Sequence, residues 1–242
     1  MAIDARHFLE VTQPALARGN ATELARAVNA RWKQCQLCEL LEHPQADVRR
    51  VAAITLGLIG GRGVIDCLAQ ALHDTDRQVN DMAEHGLWSI WFRLCSDAAA
   101  EPFQAGLDHI EAERYQPAIE AFDRAQQLDP DFAEACNQSA LARFLLGRVE
   151  EAIDDYQRAI DRMPCHFAAM AGLGHCYTHL ERLEEALACY RKTLEIHPRM
   201  AGVQHAVDRI RASAGVSDEP NSLLAGSRLS DSPWADRFNR PT

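Results

Sequence analysis

The chain has 242 residues, 47% of them hydrophobic and 25% charged, and a formal net charge of −10. That is enough apolar material for one or two packed domains. The acidic balance repels phosphate backbones and argues against nucleic acid as a partner. No apolar run approaches the length of a membrane span, and Met1-Ala2-Ile3-Asp4 lacks the basic start and apolar core of a secretory leader. The expectation is a cytoplasmic protein without membrane association.

In chain order, residues 1–19 form an N-terminal segment with one weak amphipathic stretch ending at Arg18-Gly19. Asn20 and Thr22 are N-cap types for a helix running to Trp32. Cys35 and Cys38 follow inside a helical stretch from Lys33 to His43. A redox pair calls for a preceding strand and a helix N-terminus, and a structural zinc site calls for a second ligand pair. With neither in the sequence, all eight cysteines are read as small, reduced, buried hydrophobes.

Residues 20–98 contain a loose repeat with an offset of 31. Leu37, Leu41, Val48, Ala52, Leu56 and Ile59 align with Leu68, Leu72, Val79, Ala83, Leu87 and Ile90. Each set is apolar at helical spacing and is split by a polar turn. Gly57, Gly60, Gly61 and Gly63 are expected to close the first copy as a helix end and tight turn. Because they follow a helix rather than a strand, they do not form a phosphate-binding loop. The pattern resembles a pair of short HEAT-type repeats, with Asp47-Val48-Arg49-Arg50 matching their Asp-x-Val-Arg element. In the second copy, Gln78-Val79-Asn80 loses its charges.

Residues 99–200 repeat with a period of 34. Pro130, Pro164 and Pro198 are in step, as are Ala118, Ala152 and Ala186, and Phe122, Tyr156 and Tyr190. Ala125, Ala159 and Thr193 form a fourth column, and Gly106, Ala140 and Gly174 a fifth. Proline cannot continue a helix, so it separates one copy from the next. A 34-residue helical period with small residues where helices cross resembles the tetratricopeptide repeat. The copies are then 99–132, 133–166 and 167–200, the first being the weakest match. At position 11, usually Tyr, stand His109, Arg143 and Tyr177.

Together these resemblances imply an all-α fold, a right-handed α-solenoid of helix pairs. A HEAT-like pair is followed by three tetratricopeptide repeats, a capping helix at 201–214 and a disordered tail at 215–242. In the tetratricopeptide fold the first helix of each repeat lines the ligand-facing side. The resemblance therefore implies a partner-binding groove containing Asn137, Gln138, Leu141, Phe144, His175, Thr178 and His179. The lysine, asparagine and arginine clamp with which some such domains hold chaperone tails has no counterpart here, where Phe103, Leu107, Ala168 and Gly172 stand at its positions.

His175 and His179 lie one turn apart on one helix face, a geometry open to metal, but two ligands from one helix make no selective site. Asp154-Asp155 and Glu184-Glu185 read as acids complementing helix N-termini, and Cys165-His166 as a turn. No motif for catalysis, cofactor or metal is present. The expected function is non-enzymatic protein binding. Residues 99–200 carry 18 acidic against 10 basic side chains, which favours a protein or peptide of basic character. The alternative is an accessory or lyase-like protein that handles a cofactor through the HEAT-like half, an analogy with the HEAT-like repeats of bilin lyases.

Overall fold

The computed structural model describes residues 3–214. Among these residues it contains thirteen α-helices, two 3-10 turns and no strand. The expected tail at 215–242 lies outside the described residues. Two compact units divide the chain: the first comprises residues up to Cys95 together with Ile196–Pro198, the second residues 96–195 and those from Arg199 onward.

In the first unit, α1 (Ala5–Ala17) starts at Asp4, whose carboxylate accepts from the His7 amide, and is followed by Gly19 at φ +62°. The helix α2 (Ala21–Asn29) is capped by Asn20 as expected, but it stops short of Trp32. Next come α3 (Gln34–Glu39), a 3-10 turn, α4 (Ala46–Ile59), a second 3-10 turn, α5 (Ile65–Ala71) and α6 (Arg77–Arg93). The inward columns of the 31-residue repeat are buried, with Leu37, Val48, Ala52, Leu56, Leu68, Leu72, Val79, Ala83, Leu87 and Ile90 at 0% exposure.

Two sequence readings change here. Gly57 does not end a helix. It lies inside α4, where a Cβ would come within 2.6 Å of the Gly86 Cα, so the pair lets the backbones of α4 and α6 cross closely. The cysteines are not uniformly reduced and buried either. Cys38 and Cys67 form a disulfide with Cα atoms 5.9 Å apart, and Cys35 is exposed in the first turn of α3. The physical reason is the repeat itself. The two bonded residues are 29 positions apart, close to the offset of 31, so stacking of the copies brings α3 alongside the start of α5.

The charged element of the first copy reaches into the second. Arg49 donates to Asp74 at 2.7 and 2.9 Å, and Arg50 donates to Asp76 at 2.6 and 3.1 Å. Asp76 also accepts from the Gln78 and Val79 amides and so caps α6. Asn80, which stands in the second copy where the first has Arg49, is buried and donates to the Leu72 carbonyl.

The second unit alternates α7 (Asp97–Glu111), α8 (Tyr115–Leu128), α9 (Ala133–Leu145), α10 (Val149–Arg162), α11 (Phe167–His179), α12 (Leu183–Ile196) and α13 (Ala201–Ala214). Each of the prolines Pro130, Pro164 and Pro198 is the second residue of a four-residue connection. Ala118, Ala152 and Ala186 are fully buried at the helix crossings. The rings of the next column need room as well. A Cβ on Gly106 would collide with Phe122, and one on Gly174 would come within 2.5 Å of Tyr190. In the middle copy, where Ala140 replaces that glycine, the ring of Tyr156 lies against Gly172 of the following copy instead.

The short turns inside each copy share one feature. Glu113 at φ +55°, Gly147 at +80° and Glu181 at +59° hold the same position, 34 residues apart, all in the left-handed region. The residues after them are Arg114, Arg148 and Arg182, a further column in step. Arg148 and Arg182 form ion pairs with Glu151 and Glu185 in the first turns of their helices.

Candidate functional site

The candidate binding residues come from α9 and α11, which touch each other, and α9 also touches α7. They fall into three small groups. The first is organised by Glu134, a residue the sequence reading passed over. Its Oε1 accepts from the Asn137 side chain at 3.1 Å and from the Gln138 side chain at 2.6 Å. Its Oε2 lies 2.9 Å from His166 Nε2. His166 Nδ1 accepts from the Ala169 amide at the start of α11, so the ring proton sits on Nε2 and is donated to Glu134. All four side chains are buried. His166, expected as a turn residue, is therefore a helix cap joined to a buried carboxylate. The Gln138 Oε1 atom has no hydrogen-bond partner among the described residues.

The second group is Phe144 and His179, whose rings meet edge to face at 5.8 Å. His179 is exposed, while Phe144 and its neighbour Leu141 are partly exposed.

The third is a relay from His175. The Thr178 hydroxyl donates to the Gly174 carbonyl at 2.9 Å. Its single proton is thereby committed, so at 3.0 Å it accepts from Tyr190. The Tyr190 hydroxyl in turn accepts from His175 Nδ1 at 2.8 Å. Nδ1 thus carries the proton, and Nε2, enclosed and without a partner among the described residues, keeps its lone pair. Burial, reinforced by the nearby Arg209 charge, lowers the His175 pKa to about 4, so the ring is neutral near pH 7.

Behind these groups lies a charged cluster. Arg143, at the position usually held by tyrosine, donates to Asp155 at 2.5 Å, to Asp123 at 2.8 Å and to Ser139. Asp155 is 1% exposed and also pairs with Arg158. It serves as a buried counter-ion across α9 and α10 and does not merely complement a helix N-terminus. Burial raises the thiol pKa of Cys136 and takes that of Cys176 to about 12, so both stay protonated.

Among the described residues, no group of three His, Cys, Asp or Glu side chains is arranged to hold a metal ion. No helix among them is long and apolar enough to cross a membrane. The arrangement offers hydrogen-bonding groups and a small aromatic patch.

Comparison with known families gives tetratricopeptide-repeat matches over residues 103–164 and 167–200, and a HEAT-repeat match over residues 17–122. The two assignments overlap on 103–122, the α7 and α8 region of the weakest copy. A TPR repeat-containing protein of Rhizobium etli is 27% identical over 101 residues, covering 42% of this chain and 50% of the relative. The small glutamine-rich tetratricopeptide repeat-containing protein 2 of Mycosarcoma maydis is 29% identical over 137 residues, covering 55% and 39%. The chain thus spans half or less of these curated relatives. Among solved structures, the first TPR of Spaghetti (RPAP3), bound to the HSP90 peptide SRMEEVD, is 22% identical with a TM-score of 0.49, over 50% of this chain and 96% of that one. Periodic sequence, helix pairing and family matches agree: the chain is a tetratricopeptide-repeat protein with HEAT-like repeats on its N-terminal side.

Proposed function

We propose that the chain is a non-enzymatic scaffold of the cytoplasm whose array, residues 99–200, holds a protein or peptide segment on the face built by α7, α9 and α11. The HEAT-like region, 20–98, precedes that array. The observation that carries the reading is the Phe144–His179 ring pair. It is a partly open aromatic patch next to the partly exposed Leu141, the kind of surface into which an apolar anchor docks. Asn137, Gln138, His175 and Thr178 flank it with polar groups. The acidic excess of residues 99–200 supports a segment of basic character. Peptide binding by the Spaghetti domain belongs to that protein. The present chain lacks the cationic clamp positions, so a different peptide chemistry is proposed for it.

A photo-crosslinking amino acid at position 144, with one at the exposed Leu58 as control, tests this reading. The expected result is one recurring adduct from position 144, weakened by His179→Ala while the circular dichroism of the variant is unchanged. The same adducts from both positions, insensitive to His179→Ala, would place binding elsewhere.

A further inference from the structure

The Cys35-x-x-Cys38 pair has no part in partner binding, yet the structure gives it a third member. Cys38 is bonded to Cys67, and both are partly exposed. Cys35 is exposed, in the same short helix as Cys38 and one turn before it. Residues three apart on a helix present side chains on neighbouring parts of one face, with Cβ atoms about 5–6 Å apart. A modest movement in the first turn of α3 therefore brings the Cys35 sulfur to the Cys38 sulfur.

We infer that Cys35, Cys38 and Cys67 form a thiol–disulfide exchange site that takes a small monothiol of the glutathione class. In the intramolecular step, the Cys35 thiolate attacks Cys38 Sγ. The Cys35–Cys38 bond forms, the Cys38–Cys67 bond breaks, and Cys67 leaves as a thiolate that takes up the proton Cys35 gave to water. The step moves no net electrons and needs no oxidant. The glutathione-class thiol enters afterwards. One molecule attacks the Cys35–Cys38 bond to give a mixed disulfide, and a second releases it as oxidised dimer, leaving three protein thiols. Two electrons thus pass from two small thiols to the protein disulfide.

The contrast with three cysteines of the second unit supports the assignment. Burial raises the pKa of Cys136, Cys176 and Cys189 and keeps them protonated and poorly nucleophilic. Cys35, Cys38 and Cys67 lie at the junction of α3 and α5, where the bond ties one HEAT-like copy to the next. Opening it releases that tie without touching the apolar columns beneath, Leu37, Leu68 and Leu72, which are fully buried.

The test uses the full chain purified without reductant and blocked with a maleimide at intervals after addition of reduced glutathione. Trypsin places Cys35 and Cys38 in the fragment after Lys33 and Cys67 in the fragment after Arg62, so mass spectrometry separates the states. Before glutathione, the two fragments should be cross-linked and Cys35 blocked. Afterwards, Cys67 should appear as a free thiol while the glutathione adduct is found on the Cys35–Cys38 fragment and not on Cys67. In Cys35→Ser, an exposed and sterically mild change, release of Cys67 should be roughly tenfold slower, because the intramolecular nucleophile is gone. Circular dichroism of that variant guards against misfolding. Equal rates in the two proteins would overturn the proposal, and so would full maleimide labelling of Cys38 and Cys67 in the untreated chain.

Discussion

Arg143 and Asp155 face each other at 2.5 Å across α9 and α10, with only 1% of the aspartate side chain exposed. The pair explains why the middle copy departs from the usual residue at position 11. An arginine there spans α8, α9 and α10 through Asp123, Ser139 and Asp155. Removing the cation alone leaves a buried carboxylate held only by Arg158. Arg143→Leu is therefore expected to cost about 2–4 kcal/mol in urea unfolding. Arg143→Leu combined with Asp155→Leu should recover most of that loss, because no uncompensated charge is then left inside. A double variant no more stable than the single one would show that the cluster acts through packing.

The left-handed turns give a prediction of opposite sign. A residue with a Cβ in that region costs roughly 1–2 kcal/mol relative to the right-handed one, and glycine escapes most of the penalty. Glu181→Gly, at φ +59°, should therefore raise stability by about 0.5–1 kcal/mol, and Glu113→Gly likewise. Thermal melting checks both. The middle copy, which already has Gly147, supplies the reference geometry.

His175 should titrate near pH 4 in the folded chain, against about 6.5 when unfolded. Its folded pKa is depressed, so the unfolded state binds more protons between these values. Stability is complete above about pH 6.5 and falls as the pH drops towards 4. Nuclear magnetic resonance of the ring protons gives the pKa directly. Tyr190→Phe removes the acceptor at Nδ1 and should shift the tautomer equilibrium towards Nε2–H, which the ring nitrogen shifts report.

In the first unit the pH window is lower. The hydrogen bond from Arg50 holds the Asp76 pKa near about 2. Burial works against ionisation of Asp74, but the hydrogen bonds from Arg49 and the Asp76 amide, together with the Arg49 charge, outweigh it and the pKa is lowered. Both are depressed carboxylates, so their contribution is present above about pH 4 and lost as the pH falls towards 2. Arg50→Gln should flatten the pH dependence of unfolding in that window. A curve identical to that of the parent protein would show that the Arg50–Asp76 pair does not set this window.

Much of the helical framework was legible because identity recurs at its tightest points. Alanines at crossings and prolines in connections have few substitutes, so Ala118, Ala152 and Ala186 declare the period. The turn position did not, because Glu113, Gly147 and Glu181 share a backbone conformation without sharing a residue type. The adjoining arginine column at 114, 148 and 182 was the available signal. The Glu134 group was hidden for another reason. A glutamate in the first turn of a helix reads as a solvated acid, and only the approach of His166 from 32 residues away shows that it is buried. The disulfide likewise depends on the stacking of two copies, which apolar spacing suggests but does not measure.

The contact of Tyr156 with Gly172 makes the order of the copies part of the sequence's information. In the outer copies the ring and the glycine that admits it belong to the same 34 residues, so each carries its own fit. The middle copy has its ring in one copy and its glycine in the next. Exchanging the second and third copies would leave Tyr156 facing whatever follows at 201, and would bring Gly172 before a neighbour that has no use for it. Duplication or shuffling of these modules is therefore constrained at the boundary of residues 166 and 167 by this ring, as it is at residues 132 and 133 by the Arg143–Asp123 pair.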